Sequence, residues 1–238
     1  MTARRPKSTL SAEQLTVAWQ SCSLLLDYPD ESLVQRLPVI SSSTRLLPDH
    51  IGSSIRAFAT HLESTPLQAA QVEYVDTFDT RRRCTLFLTY FAHGDTRKRG
   101  VALLRFKQAY LRSGFVLDDT ELPDHLCVVL EYAATVDQRL GRALLLDHRA
   151  GLELLRLSLR DGRSPWADLL DAVRATLPPL RGDERDAVRR LALEGPPEEE
   201  VGLAPFATPE FSPAGPPSVA HPPVSRPLPT PTFPGGLS

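Results

Sequence analysis

The sequence contains few cysteines. Only Cys22, Cys84 and Cys127 occur among its 238 residues, far apart, odd in number and each among apolar neighbours at helical spacing. This pattern excludes the dense disulfide framework of a small secreted domain, and it predicts buried, reduced thiols in a reducing compartment. Because Cys-x-x-Cys pairs are also absent, we predict no metal site.

Long apolar runs are missing as well. No stretch reaches the roughly 20 apolar residues that a membrane-spanning helix requires. The pair Arg4-Arg5 precedes the polar residues 11–14, where a twin-arginine signal would need an apolar segment. We therefore expect a cytoplasmic protein without stable membrane insertion.

Strand patterns are the third absence. The sequence has no long alternation of apolar and polar residues and no Asn-Gly hairpin turn. Apolar residues instead recur at i, i+3, i+4 and i+7, which is typical of amphipathic helices. We predict an all-α fold, a single domain of about eight to ten helices packed through their apolar stripes.

Motifs of common enzyme chemistry are absent too. There is no glycine-rich phosphate loop, no nucleophile elbow and no His-Glu-x-x-His zinc motif. The net charge of −2 gives no overall attraction to nucleic acid. We predict a protein that is not an enzyme, with no catalytic residues and no cofactor.

Proline marks the domain boundaries. Thirteen of the 22 prolines lie from Pro196 onward, in a segment too poor in apolar residues to offset the entropy of ordering it. Residues 196–238 are therefore predicted to be an extended or disordered tail, and residues 1–10 a flexible N-terminus. Ser11 followed by Gln14 predicts a capping box, which opens a helical domain over residues 11–195.

The most informative stretch is residues 72–107. Residues 71–78 and 84–91 each have apolar side chains at helical spacing, which predicts two helices. Gly94 is suited to a positive φ, and Asp95 is expected to cap the next helix. That helix begins with three basic residues at 97–99, which oppose the helix dipole and so suggest an acidic partner, inside the protein or outside it.

Two faces in this stretch carry many apolar residues. The predicted helix over 84–91 is apolar nearly all round, so it either lies in the core or lends one face to a groove for an amphipathic peptide helix. The following helix carries a broad apolar stripe. Its members are Leu103, Leu104, Phe106, Tyr110 and Leu111.

Three blocks of sequence carry a family resemblance. The first block resembles the signature of the NarJ-type chaperones and comprises residues 74–79, 81–86, 88–90 and 93–100. These chaperones assemble the molybdenum cofactor into respiratory nitrate reductase, and they belong to the wider TorD-like group. Two further blocks resemble the same family. They are residues 121–126, which read Glu-Leu-Pro-Asp-His-Leu, and residues 195–206, with Gly-Pro-Pro followed by Glu-Val-Gly-Leu and Pro-Phe.

The resemblance implies a helical chaperone, not an enzyme, that binds the N-terminal segment of the nitrate reductase catalytic (alpha) subunit. It would hold that subunit until cofactor insertion and membrane docking, and it would be absent from the mature enzyme. Aromatic residues would supply apolar contact, the arginines would pair with acids of the partner or orient nearby acids, and an Asp-His pair would hold a loop at the groove edge. The peptide-binding positions implied are Tyr74, Asp76, Phe78, Asp79, Arg82, Tyr90, His93, Arg97, Asp124 and His125.

A second interpretation competes with the first. The basic clusters Arg81–Arg83 and Arg97–Arg99 would suit an anion-binding module that contacts nucleic acid or the phosphates of a cofactor. Such binding would weaken steeply with salt because counterions are released. A peptide groove would show mild salt dependence and a negative heat-capacity change.

Overall fold

The structure, a computed structural model, describes residues 10–118 and 120–197. Within these residues the chain forms eleven α-helices and no strand beyond one isolated bridge. The all-α prediction is confirmed, with one helix more than the upper end of the expected number. The helices are α1 (Ala12–Leu25), α2 (Glu31–Ser43), α3 (Asp49–Ser64), α4 (Leu67–Tyr74), α5 (Leu88–His93), α6 (Arg97–Arg112), α7 (Leu126–Thr135), α8 (Gln138–Asp147), α9 (Arg149–Asp161), α10 (Ala167–Thr176) and α11 (Gly182–Glu194).

The two predicted terminal segments fall almost entirely outside the described residues. Of the predicted N-terminus 1–10 only Leu10 is described, and of the predicted tail 196–238 only residues 196–197. Flexibility of the first segment and disorder of the second therefore stay predictions.

Helix α1 lies in the middle of the core. It begins where the sequence predicts, because the Gln14 backbone N–H donates to Ser11 Oγ at 3.1 Å and the Ser11 N–H donates to Gln14 Oε1 at 3.0 Å. Its buried face packs against α7 and α10. Trp19 is fully buried there, and its Nε1 donates a 2.9 Å hydrogen bond to Thr176 Oγ1, so the indole N–H keeps a partner inside the core.

The chain between α4 and α5 departs from the prediction of two continuous helices. After α4 it forms one wide turn of π-helix at Val75–Asp79 and then a 3₁₀ turn at Arg82–Cys84. Thr85 and Phe87 have extended backbones, and α5 begins only at Leu88. The expectation of a helix from residue 84 is therefore wrong at its start.

Backbone pairing with the segment before α7 explains this extended stretch. The Leu88 N–H donates to the carbonyl of Asp124 at 3.0 Å, and the Leu126 N–H donates to the carbonyl of Leu86 at 2.9 Å. Phe87 and His125 consequently face each other in an antiparallel bridge. These tertiary bonds satisfy backbone groups that a local helix would otherwise have paired.

The turn between α5 and α6 confirms one prediction and corrects another. Gly94 has a φ of 55°, the left-handed conformation that glycine adopts at little cost. Asp95 does not cap α6, because Thr96 occupies the N-cap position and makes no side-chain capping bond. The Asp95 carboxylate instead pairs with Arg99 at 3.2 Å, so one of the unfavourably placed basic residues has its acidic partner inside the protein.

The composition led to expectations about the cysteine thiols and about membrane-spanning helices. Cys22, Cys84 and Cys127 are all buried and free, as predicted, and burial raises the pKa of Cys22 to about 12, which keeps its thiol protonated. Over residues 10–118 and 120–197, none of the helices combines the length and apolar character needed to cross a bilayer.

A charged cluster that no motif predicted joins α9 to α10. Glu153 is almost fully buried and pairs with Arg149 at 3.3 Å, Arg156 at 2.8 Å and Arg174 at 3.0 Å. Arg156 also pairs with Asp171 at 3.1 Å. Paired charges of this kind are tolerated inside a protein, whereas removal of one partner leaves the others as uncompensated buried charges.

Two helical glycines are predicted to respond in opposite directions to alanine. A Cβ on Gly151 of α9 would lie 2.8 Å from the Phe91 Cβ of α5, whereas a Cβ on Gly100 of α6 has no atom within 4 Å. Gly151→Ala should lower the free energy of unfolding by about 1–3 kcal/mol through overpacking. Gly100→Ala should raise it by roughly 0.5–1 kcal/mol through helix propensity. Urea unfolding followed by circular dichroism measures both, and a neutral Gly151→Ala would refute the close packing of α5 on α9.

Candidate functional site

Helix α5 is the place where parts of the three recognised sequence blocks meet, with residues 195–197 the described part of the third block. Its N-terminus is bonded to residues 124–126 through the bridge described above. At its C-terminus, a Cβ on Gly94 would overlap the backbone carbonyl of Pro197, so the chain after α11 passes directly against this turn. Described residues from blocks that are far apart in sequence therefore lie against the two ends of one short helix.

A buried carboxylate holds the start of α5. Asp124 is fully buried, and its Oδ2 accepts bonds from the Thr89 backbone N–H at 3.0 Å and from Thr89 Oγ1 at 2.5 Å. The preceding Pro123 carbonyl accepts a 2.6 Å bond from the hydroxyl of Tyr110 in α6. The Asp-His segment is thus tied to both α5 and α6.

Arg99 covers this joint from the α6 side. Its guanidinium carbon lies 5.4 Å from the ring centroid of Phe87 and 5.8 Å from that of Tyr90, within cation–π range. Arg99 Nε also approaches Thr89 Oγ1 at 3.4 Å, and its terminal nitrogen pairs with Asp95. With only 18 % of its side chain exposed, Arg99 serves mainly to hold α6 against α5.

On the opposite side of α5 lies an open groove of about 580 Å³. A volume of this size is typical of ligand-binding clefts. Helices α5, α6, α8, α9 and α11 form its walls, and most of the lining is apolar. The lining residues are Leu88, Phe91, Ala92, His93, Ala102, Arg105, Phe106, Leu144, Asp147, His148, Ala150, Gly151 and Leu191.

The polar residues that line the groove are His93, Arg105, Asp147 and His148. Partial burial lowers the pKa of His93, and the nearby His148, Arg105 and Lys98 lower it further. His93 is therefore mostly neutral at pH 7. Asp147 supplies the one carboxylate of the lining. An apolar floor with charges of both signs at its edge suits an amphipathic peptide.

Of the ten positions implied by the resemblance, His93 lies in the groove. Tyr74 and Phe78 are buried in the core, where their ring centroids lie 5.9 Å and 5.5 Å from that of Trp166. Asp124 and His125 lie at the α5–α7 joint. Tyr90 is half-buried beside Arg99.

The remaining implied positions lie on the surface. Asp76, Asp79, Arg82 and Arg97 are all exposed. Across the described parts of the chain, no ion pair joins Arg82 to Asp76 or Asp79. The structure thus divides the ten positions among a core cluster, a helix joint, a groove and a charged surface, and their role in peptide binding stays a prediction.

Sequence reasoning missed several residues that shape the site. Thr89 and Arg99 lie inside the recognised blocks but were not singled out, and their contacts with Asp124 and Phe87 are tertiary. His148 was missed because it belongs to none of the three blocks. Its ring centroid lies 5.0 Å from that of Phe106, and its Nδ1 lies 3.0 Å from the backbone carbonyl oxygen of Leu144. Among residues 10–118 and 120–197, no cluster of three or more potential metal ligands is present.

A protein-family comparison matches residues 45–172, more than half of the chain, to the nitrate reductase delta subunit family. The chain belongs to this family. The matched region includes α5, α6 and the Asp-His segment, so the joint described above lies within the family's shared part.

Individual relatives agree with the family assignment. The probable nitrate reductase molybdenum cofactor assembly chaperone NarJ of Bacillus subtilis is 33% identical over 170 residues, covering 69% of this delta-family chain and 89% of the relative. NarJ of Escherichia coli K12, also named as a nitrate reductase molybdenum cofactor assembly chaperone, is 33% identical over 152 residues. That alignment covers 63% of this chain and 64% of the relative. The nitrate reductase-like protein NarX of Mycobacterium tuberculosis H37Rv is 38% identical over 164 residues. This chain spans only about a quarter of NarX, 24% of its length.

A solved structure supports the fold. The crystal structure of a putative redox enzyme maturation protein from Archaeoglobus fulgidus aligns with a TM-score of 0.51 at 24% identity. The alignment covers 73% of this delta-family chain and 98% of that protein. The helical architecture is therefore shared with a solved protein.

The Asp124–Thr89 pair is predicted to be a main stabilising contact of the joint. Asp124→Ala leaves the buried Thr89 N–H and hydroxyl without an acceptor, which should lower the free energy of unfolding by about 2–4 kcal/mol. Thr89→Val removes only the hydroxyl and should cost about 1–2 kcal/mol. Chemical denaturation of both single variants and of the double variant measures their coupling. Additive effects would show that the two side chains do not interact.

Stability is predicted to fall below about pH 6.5 partly because of His125. Burial lowers the pKa of this imidazole from its ordinary value of 6.5, against smaller opposing effects of Asp27 and Asp124. The unfolded chain therefore binds a proton that the folded protein resists, so stability is lost as the pH falls through the unfolded value.

His125→Gln should remove this contribution, so its unfolding free energy should change less than that of the parent protein between neutral and mildly acidic pH. His50→Gln, a change at an exposed position of α3, is the matched control. Identical pH profiles for the parent and His125→Gln would contradict the prediction.

Proposed function

We propose that this chain is a cytoplasmic assembly chaperone that binds the N-terminal segment of the catalytic (alpha) subunit of a nitrate reductase. It would hold this client competent for molybdenum cofactor insertion and membrane docking, without becoming part of the mature enzyme. Family membership and the names of the NarJ relatives support the general role. Those names describe chaperones, and the proposed activity requires no catalytic residue and no bound cofactor.

The observation that carries the proposal is the groove between α5, α6, α8, α9 and α11. Its floor includes Phe91, Phe106 and Leu144, which suit apolar anchors of a helical peptide at i, i+3 or i+4 and i+7. His93, Arg105 and Asp147 at the rim would orient the polar face of that peptide. The groove is also adjacent to α5, where the family blocks converge.

The other implied positions support this groove indirectly. Asp124 and His125 fix the start of α5, and Tyr74 and Phe78 anchor the preceding turn to Trp166. Substitution of these residues would weaken binding by displacing α5. The exposed Asp76, Asp79, Arg82 and Arg97 would meet charged residues of the client.

The competing anion-binding interpretation is less favoured. One of its six arginine or lysine residues, Arg99, is mostly buried and committed to Phe87, Tyr90 and Asp95. Arg81, Arg82 and Arg83 are exposed and lie at a 3₁₀ turn, and none of them lines the groove.

The first experiment is isothermal titration with a synthetic peptide of about 30 residues from the N-terminus of the host's catalytic subunit, long enough for several helical turns. Titrations at low and high salt and at several temperatures should give saturable binding that largely survives salt, with a negative heat-capacity change. Binding that disappears at high salt would instead favour the anion-binding module. No binding by folded protein would refute the peptide proposal.

A variant that fills the groove locates the site. Ala92 lines the groove and is exposed, so Ala92→Trp should occupy space needed by the peptide without disturbing the core. We expect the dissociation constant to rise at least tenfold, about 1.4 kcal/mol. Ala57→Trp, at an exposed position of α3 away from the groove, is the matched control. Equal affinities for the two variants would place the peptide elsewhere.

A further inference from the structure

Helix α6 has an unusual charge. Its 16 residues include Arg97, Lys98, Arg99, Arg105, Lys107 and Arg112 and no acidic residue, although the whole chain has a net charge of −2. One element therefore carries a concentrated positive charge that the composition of the protein hides.

The outward face of α6 also exposes aliphatic side chains. Ala102, Phe106 and Tyr110 point inward and are buried, in agreement with part of the predicted stripe. Leu104 and Leu111 do not join them. They are 57% and 60% exposed, and Val101 is 56% exposed. At 3.6 residues per turn these three aliphatic side chains share an arc of about 80° on the solvent side, which also contains the exposed Gln108.

Three exposed cations of α6 lie along one edge of that apolar strip. Lys98, Arg105 and Arg112 recur every seven residues, or about two helical turns, so they form a continuous row. All three side chains are exposed, and the ion pairs found in the described residues include none of them. The outer face of α6 therefore presents an aliphatic strip bordered by a cationic row.

We propose that this outer face of α6 binds peripherally to an anionic membrane surface. A helix that lies in the interface of a bilayer needs aliphatic side chains pointing into the lipid and cations beside them at the level of the headgroups. Charge complementarity supplies the attraction, since each lysine or arginine near an anionic leaflet strengthens binding. The mode is contact with the surface, which needs no membrane-spanning helix.

Other occupants fit this face less well. A nucleic acid would use the cations and leave the central aliphatic strip against its phosphates. A second copy of the chain would bring two cationic rows together, which is repulsive. The face is also the convex side of a helix, whereas the cleft suited to a peptide lies behind it and is walled by Ala102, Arg105 and Phe106.

The proposal goes beyond the proposed chaperone function and does not depend on it. Helix α6 would contact lipid with its outer face while its inner face forms one wall of the groove. A client held in the groove would then lie close to the membrane. Because lipid binding is measured without any peptide, its failure can be told apart from failure of the peptide proposal.

The test is co-sedimentation of the full chain with vesicles. One set contains phosphatidylglycerol mixed with phosphatidylcholine, and the other contains phosphatidylcholine alone. We expect binding to the anionic vesicles at low salt, weaker binding at high salt, and little binding to the neutral vesicles. Absence of binding to anionic vesicles, or equal binding to both sets, would overturn the proposal.

Two variants separate the contributions of charge and of apolar contact. Lys98→Gln with Arg112→Gln should weaken binding to the anionic vesicles by roughly fivefold for each cation removed. Leu104→Ser with Leu111→Ser should weaken it at both salt concentrations, because it removes the apolar contact. All four positions are exposed, and circular dichroism verifies that each variant remains helical.

Matched controls change the same chemistry elsewhere. Arg139→Gln with Arg142→Gln removes two exposed cations from α8, and Val34→Ser with Val39→Ser removes two exposed aliphatic side chains from α2. Both controls should bind like the parent protein. Losses equal to those of the α6 variants would overturn the assignment to α6. A duplex DNA that binds as tightly as the vesicles and competes with them would identify a general polyanion site and would overturn the lipid assignment.

Discussion

The bond between Asp124 and Thr89 is the contact on which the arrangement of the site depends. It joins the start of α5 to the segment before α7, and the backbone bonds at Leu86 and Leu88 extend the same joint. Arg99 then packs over it from α6. A fully buried carboxylate would be costly without such partners, so this local geometry is strongly specified. Helices α5 and α6 also form two walls of the groove.

Local physics was enough to predict much of the fold. The capping box at Ser11 and the positive φ at Gly94 depend on neighbours in sequence, and both are present. The helix expected from Cys84 failed at its start because Phe87 pairs with the distant His125. Asp95 failed as a cap because Thr96 occupies the N-cap position, and the Asp95 carboxylate pairs with Arg99 instead. A distant partner thus decided where α5 starts, and periodicity contains no information about that partner.

The candidate site shows a different limit. The resemblance singled out Tyr74, Phe78 and Asp124 together with His93, and the structure places the first three inside the protein. A family signature therefore mixes residues that hold the fold with residues that could meet a partner, and only burial separates them. The groove itself draws on α8, α9 and α11, whose residues belong to no quoted block. Its existence required the tertiary structure.

Helix α6 explains why an unfavourable local feature is retained. Basic residues in its first turn oppose the helix dipole, each at a cost of a few tenths of a kcal/mol. Arg99 stacks on aromatic rings and pairs with Asp95. Lys98 starts the outward cationic row, and the ion pairs found in the described residues do not include it. Residues that contradict local preference without an internal compensation are expected where a protein meets a partner. The inner face of α6 serves the fold, and its outer face is best explained by an anionic surface outside the chain.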